Sequence, residues 1–156
     1  LDIGAQTTTV SAVYKGILRH SRSIDMGGNS FTERIAKALS IDYRKAEREK
    51  AAKGIELAAG GVPILLPLID MVALEIQKLA DPFYQYYGEE IKKIVLGGGS
   101  AKLPGLREYI EKNMAKKTEL IAPFRGLAYP PVLENVLQDM GPSFAVAVGM
   151  ALRGFE

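Results

Sequence analysis

The apolar and polar positions of this chain change from the period of a β-strand to that of an α-helix. Residues Thr8–Tyr14 and 17–26 interleave polar and apolar side chains across Lys15-Gly16, which predicts a β-hairpin. From residue 63 to 87 the apolar side chains recur three or four positions apart, which predicts one long helix with an apolar face. Pro82 lies inside that pattern and predicts a bend or a restart of the helix.

Two shorter helices are predicted between the hairpin and the long helix. Ser30 and Glu33 have the spacing of a capping box, so the first helix is predicted over residues 31–39. Asp42 is the predicted N-cap of the second helix, and Gly54 is its predicted stop. These signals therefore predict a helical insert after the hairpin.

The rest of the chain predicts strands that alternate with helices. A buried strand over 91–96 ends in three glycines, and a helix over Leu106–Met114 follows. A short strand over 118–122, a proline-rich connection and a small-residue helix over 143–152 complete the pattern. The whole order indicates a mixed α/β domain.

Composition limits the function classes. With 156 residues and 47% hydrophobic content, we expect one compact domain, too short for two. The net charge of +2 is dispersed, which disfavours nucleic acid as a partner, and one histidine without cysteine excludes disulfides and thiolate metal sites. Glycines, prolines and Asp70 interrupt the apolar stretch 57–74, so no transmembrane helix is expected. Because the chain starts at Leu1 in a strand-like segment without a signal peptide, we expect part of a longer protein.

The first candidate site is the start of the hairpin. A strand that ends in Asp2 and turns through Gly4 into amide and hydroxyl side chains can surround terminal phosphates, with Gln6, Thr7 and Thr8 as further contacts. Asp2 would hold Mg²⁺ through its water shell or orient an attacking water. An ordinary polar hairpin turn is the alternative interpretation.

The second candidate site follows the predicted strand 91–96. Consecutive glycines allow the flat face of a nucleoside to approach the backbone, and the predicted contacts are Gly98, Gly99, Ser100 and Lys102. Neither the dinucleotide fingerprint nor a P-loop is present. A tight connection from strand to helix is the alternative.

The third candidate is the pair Glu47 and Lys50 on the second predicted helix. Their spacing of three places both on one face, where the carboxylate can accept hydrogen bonds from ribose hydroxyls and the lysine stem can cover a purine. The alternative is a solvated ion pair.

Taken together, the order of these motifs resembles the second half of the superfamily of actin, the Hsp70 chaperones and FtsA. The resemblance implies an actin-like ATPase domain, related to ribonuclease H, with a mixed five-stranded sheet flanked by helices. It assigns residues 1–27 and 75–156 to the nucleotide-binding core and 28–74 to a helical insertion. The hairpin would be the second phosphate loop, the glycine segment the adenosine motif, and the last helix an interdomain connector.

Within that superfamily the details resemble the PilM, or competence protein A, family of type IV pilus assembly. The matching segments are 7–9, 27–33, 46–50, 75–84, 98–106 and 123–126. This resemblance implies a scaffold that binds ATP and Mg²⁺ and lies in the cytoplasm at the inner face of the inner membrane. It also implies the cytoplasmic tail of PilN as partner, held mainly by the missing first half, together with other pilus proteins and self-association.

One departure from the superfamily bears on hydrolysis. Its ATPases commonly carry a second aspartate at the position of Thr9, which helps to position metal and water. In a separate departure, Gln6 stands where a glycine often occurs, so the loop is expected to bind nucleotide more loosely or to use the side-chain amide as a donor. We therefore expect nucleotide binding without efficient hydrolysis. The alternatives are an actin-like ATPase of the chaperone or reactivase type, with Asp2 as the metal-holding and water-orienting residue, and an FtsA-like polymerising protein.

Overall fold

The computed structural model describes residues 1–154, and its first half is built around an antiparallel hairpin. Strand β1 (Asp2–Ile3) pairs with β2 (Thr8–Tyr14), which pairs in turn with β3 (Ile17–Ile24). The predicted hairpin is confirmed. The pairing register shifts between Ala12 and Val13, so the hairpin contains a β-bulge near its tip.

Two helices follow the hairpin, and only one of them starts as the sequence predicted. Helix α1 spans Gly28–Leu39 and has Gly27 as its N-cap, so the predicted capping box at Ser30 is wrong. Helix α2 spans Tyr43–Lys53, and the Asp42 side chain accepts a hydrogen bond of 2.9 Å from the Lys45 N–H, which confirms that cap. A 3₁₀ turn (Gly54–Glu56) and two short strands, β4 (Ala58–Ala59) and β5 (Val62–Pro63), lead to the long helix.

Helix α3 spans Leu66–Tyr87 and continues through Pro82 without a restart. Its buried face packs against the buried side chains of β2, of which Val10 and Ala12 are apolar. Each large apolar side chain in this contact contributes about 1.5–3 kcal/mol through burial. The core-facing residues of α3 are Ile69, Val72, Ala73, Ile76, Leu79 and Phe83.

The second half of the chain adds a parallel pair of strands. Strand β6 (Lys93–Leu96) pairs with β7 (Lys117–Leu120), and between them lie a 3₁₀ turn (Gly99–Lys102) and α4 (Leu106–Met114). The last elements are a 3₁₀ turn (Pro131–Leu133) and α5 (Glu134–Arg153), which begins nine residues earlier than the sequence predicted.

A bridge between β1 and the end of β6 joins the two sheets. Asp2 pairs with Gly97 in parallel orientation, and the Ile3 N–H donates to Gly97 O at 2.8 Å. The strand order is therefore β3-β2-β1-β6-β7, which confirms the mixed five-stranded sheet flanked by helices. The predicted boundary at residue 75 lies inside α3, and the division into two subdomains stays a prediction.

Candidate nucleotide site

The start of the hairpin is fixed against the first turn of α1. The Gly4 N–H donates to Thr7 O at 2.9 Å, which closes a tight loop over residues 4–7. The carbonyls of Gly4 and Ala5 accept the N–H groups of Gly28 and Asn29 at 2.9 and 2.8 Å. These N–H groups are among the four that a helix start leaves unpaired, so the loop itself caps α1. This contact explains why Ser30 and Glu33 do not form a capping box.

Within this loop the predicted contacts are not equivalent. Gln6 and Thr7 are exposed, so their side chains are accessible to a ligand. Thr8 is fully buried, and its hydroxyl donates to Met26 O at 2.7 Å. The Thr8 hydroxyl is therefore committed to the protein interior and is not among the groups that the loop exposes.

Lys50 and Glu47 lie on one face of α2, as the spacing predicted, and both contact α1. The Lys50 ammonium lies 3.0 Å from Gly28 O, 2.8 Å from Thr32 Oγ1 and 2.8 Å from Glu47 Oε2. We call these four residues the Lys50 clasp. Since an ammonium has three protons, the clasp uses all of them. Sequence reasoning missed Gly28 and Thr32 as members of the clasp, because their contacts with Lys50 arise from packing between α1 and α2.

The clasp sets the ionisation of Glu47. Burial raises the pKa of this carboxyl, but hydrogen bonds from Lys50 and Thr32 and the Lys50 charge outweigh it, so the pKa lies below its ordinary value. The Glu47 side chain is 49% exposed. Its Oε1 atom takes part in neither bond and remains able to accept from a ligand hydroxyl.

The glycine segment crosses the end of β1. Gly98 has φ +88°, and a Cβ there would overlap Ile3 O and lie 2.5 Å from Asp2 Oδ1. The carboxylate of Asp2 is thus adjacent to the adenosine-type segment. At Gly99 the nearest atom to an added Cβ is Ser143 Oγ at 3.9 Å, so the surface there is open. Gly98 is required by the fold, whereas Gly99 leaves space for a ligand.

Helix α5 holds the far side of the same segment. The Gly98 N–H donates to Pro142 O at 2.8 Å. Lys102 forms an ion pair with the Asp139 carboxylate and donates to its carbonyl at 3.2 Å. Lys102 therefore fastens the glycine segment to α5, a role that the sequence did not indicate.

All three predicted motifs meet at Gly28. A Cβ at this position would overlap Ser100 Oγ and lie 3.5 Å from Lys50 Nζ and 3.7 Å from Gly4 O. Ser100 belongs to the glycine segment, Lys50 to α2 and Gly4 to the hairpin loop. The absence of a side chain at residue 28 is what lets these three segments approach one another.

Metal-binding capacity is limited to isolated carboxylates. Residues 1–154 contain no group of three or more histidine, cysteine, aspartate or glutamate side chains that could hold a metal ion. Asp2 is a single carboxylate beside a hydroxyl-rich loop, which suits Mg²⁺ only when phosphates and waters complete its oxygen shell. The same part of the chain contains no helix that is long and apolar enough to span a membrane.

The strand order, the loop that caps α1 and the glycine segment at the end of β6 define an actin-like domain, and solved structures agree. The chain aligns with PilM in a PilM–PilN type IV pilus biogenesis complex with a TM-score of 0.84 and 29% identity, over 99% of this chain and 45% of that one. It aligns with MreB5 of Spiroplasma citri bound to ADP with a TM-score of 0.64 and 18% identity, over 97% and 51%.

Sequence comparison identifies the family. The family model for type IV pilus assembly protein PilM matches residues 1–155, and the chain therefore belongs to the PilM family. It is also 27% identical to the cell division protein FtsA of Agrobacterium fabrum, over 97% of this chain and 39% of FtsA. The chain thus spans less than half the length of these relatives.

Proposed function

We propose that this chain is the nucleotide-contacting half of a type IV pilus assembly scaffold, in which bound ATP controls the binding of a partner protein. The observation that carries the proposal is the convergence at Gly28 of the hairpin loop, the α2 face and the glycine segment. In an actin-like domain such a convergence suits a ligand that offers phosphate, ribose and base together.

The described residues fit ATP in three places. The exposed residues 5–7 of the hairpin loop offer backbone N–H groups and the side chains of Gln6 and Thr7 to phosphates. The open surface at Gly99 accommodates a flat base, and the free oxygen of Glu47 can accept from ribose hydroxyls. Asp2 would hold Mg²⁺ through water, as hard cations prefer oxygen ligands. The relative MreB5, solved with ADP, supports a nucleotide as the ligand of this fold.

We further propose that the nucleotide acts as a ligand that selects a conformation rather than as a substrate. Asp2 and Thr9 are cross-strand partners, so Thr9 stands where a second aspartate would face Asp2. The Thr9 hydroxyl instead bonds to Ser23 Oγ at 2.8 Å. Without the second carboxylate, binding energy can still favour one relative orientation of the two halves of the protein.

The exposed side of α5 supports an interface with the rest of the protein. Val146 and Met150, four residues apart on one face of α5, are each 65% exposed within residues 1–154. Apolar side chains of this kind on one helix favour a packed interface. We propose that α5 carries changes at the glycine segment towards the other half, and that the controlled partner is the cytoplasmic tail of a PilN protein, by analogy with the PilM–PilN complex.

The test uses the full-length protein, Mg-ATP and a peptide of the PilN cytoplasmic tail in calorimetric titrations. We expect the protein to bind Mg-ATP with slow or no turnover, and to change its affinity for the tail about fivefold or more when ATP is present. Gly99→Val should abolish ATP binding and this coupling while circular dichroism remains unchanged. Rapid turnover, or a tail affinity that is identical with and without bound ATP, would contradict the scaffold.

A further inference from the structure

Strand β3 forms the outer edge of the sheet, two strands from Asp2. It pairs with β2 on one side, and no other strand in residues 1–154 pairs with its opposite side. Ile17 to Ser23 are exposed and Ile24 is half-buried. An edge of this length offers a row of backbone N–H and C=O groups to another strand.

The pairing register fixes which side chains flank this edge. Arg22 lies opposite Val10 and His20 opposite Ala12, so both lie on the face of the sheet that α3 covers. Ser21 and Ser23 lie on the other face and bond to Ser11 and Thr9. One side of the edge is therefore cationic and the other side carries hydroxyl groups.

The positive charge of the edge is only partly compensated. Residues 15–24 contain Lys15, Arg19 and Arg22 but no acid. Arg22 lies 3.7 Å from Glu75 of α3, and Lys78 shares that carboxylate at 2.6 Å. The acidic residue nearest to β3 in the sequence is Asp25, which follows the last residue of the strand. A strand added here would meet an excess of positive charge on its α3 side.

This charge opposes pairing between two copies of β3. An antiparallel pair of such strands, centred on the regular part at residues 20–24, would bring the Arg22 side chains of two molecules together, and like charges across a pair are destabilising. Carboxylates at alternate positions of an incoming strand would instead face the arginine side. The edge is thus protected against self-association and suited to a strand of opposite charge.

We propose that the edge of β3 binds an extended acidic segment of another protein by strand addition. Backbone hydrogen bonds to β3 supply the pairing, and alternate acidic side chains face Arg22 and His20. The bulge at Ala12/Val13 leaves Arg19 against the Tyr87 ring, 5.8 Å from its centroid, so regular pairing is limited to residues 20–24. The segment recognised is accordingly about five or six residues long.

The experiment titrates the full-length protein with capped eight-residue peptides. The probe alternates threonine and glutamate, one control replaces glutamate by lysine, and a second control carries the probe sequence with every other backbone nitrogen methylated. We expect only the probe to bind, and to slow amide hydrogen exchange in residues 20–24. Arg19→Glu with Arg22→Glu should weaken the probe about tenfold or more, while Arg34→Glu with Lys112→Glu, away from the edge, should not.

Four results would overturn the proposal. Equal binding of the methylated peptide would mean charge attraction without strand pairing. Equal binding of the lysine peptide would show that the edge does not select acidic side chains. Binding of β3 to vesicles containing phosphatidylglycerol in place of the probe, or dimerisation that protects residues 20–24, would assign the edge to a membrane or to a second copy. None of these readouts requires nucleotide, so the outcome is independent of the proposed ATP-dependent function.

Discussion

The Lys50 ammonium of α2 donates a 3.0 Å hydrogen bond to Gly28 O in the first turn of α1. This bond joins the predicted ribose-contacting helix to the residue at which all three motifs meet. Because Lys50 is buried and its ammonium has three acceptors, its first role is to hold two helices together beside the site.

Replacing Lys50 by methionine should therefore destabilise the fold itself. The substitution keeps most of the side-chain length but removes the ammonium that bonds to Gly28 O and Thr32 and neutralises the Glu47 carboxylate. We expect a loss of about 2–4 kcal/mol in the free energy of unfolding, measured by urea denaturation. Lys53→Met is the matched control, because Lys53 makes an exposed ion pair with Glu49 and should cost under about 0.5 kcal/mol. Equal losses of unfolding free energy in the two variants would show that the Lys50 clasp does not stabilise the fold.

Acid should weaken the same clasp. The pKa of Glu47 is lower in the folded chain than in the unfolded one, so its contribution is complete above the ordinary carboxyl pKa of about 4.3 and is lost as the pH falls through the lowered folded value. We expect the stability difference between the wild-type protein and Glu47→Gln to be constant near neutral pH and to shrink below about pH 4. Urea denaturation at several pH values measures it. A difference that persists unchanged at low pH would argue against this ion pair.

Adjacent glycines should respond differently to alanine. Gly98→Ala introduces a Cβ that overlaps Ile3 O at a positive φ, and we expect a loss of about 2–4 kcal/mol or a failure to fold. Gly99→Ala introduces a Cβ with open surroundings, and we expect stability within about 1 kcal/mol of the wild-type protein. Thermal and urea denaturation of both variants provide the comparison. Marked destabilisation by Gly99→Ala would show that the space beside Gly99 is not open, and so would contradict the proposed base site.

A second carboxylate opposite Asp2 should make stability depend on Mg-ATP. Asp2 and Thr9 are cross-strand partners, so Thr9→Asp brings two like charges together and should lower stability by about 0.5–1 kcal/mol in the absence of nucleotide. Addition of Mg-ATP should recover this loss, because a cation between two carboxylates removes the repulsion. Melting temperatures with and without Mg-ATP test this. Thr9→Asn, which adds no charge, is the control and should show no such extra recovery.

Local signals predicted most of the fold. The hairpin, the Asp42 cap and helix α4 depend on residues near one another in sequence, and all were predicted correctly. The start of α1 was not, because its N–H groups bond to Gly4 and Ala5, more than twenty residues away. The first two turns of α5 were missed because Gly141 and Pro142 resemble a helix boundary, although the helix passes through them.

The candidate site shows the same division. The spacing of Glu47 and Lys50 correctly placed them on one face, but the partners of Lys50 on α1 follow only from packing between helices. Likewise, Lys102 follows the glycines in sequence, yet its contact with Asp139 crosses 37 positions. Motif composition predicted which segments form the candidate site, whereas the contacts that each side chain makes within the protein required the tertiary structure.

Helix α5 is attached to the glycine segment at one point along its length, near Pro142. Gly98 and Lys102 contact the helix at Pro142 and Asp139, and the eleven residues after Pro142 extend about 16 Å at the rise of an α-helix. A tilt of about 10° at the glycine segment would thus displace the Arg153 end by about 3 Å. A small tilt at the glycine segment would therefore move the far end of the helix by about twice the rise per residue of an α-helix.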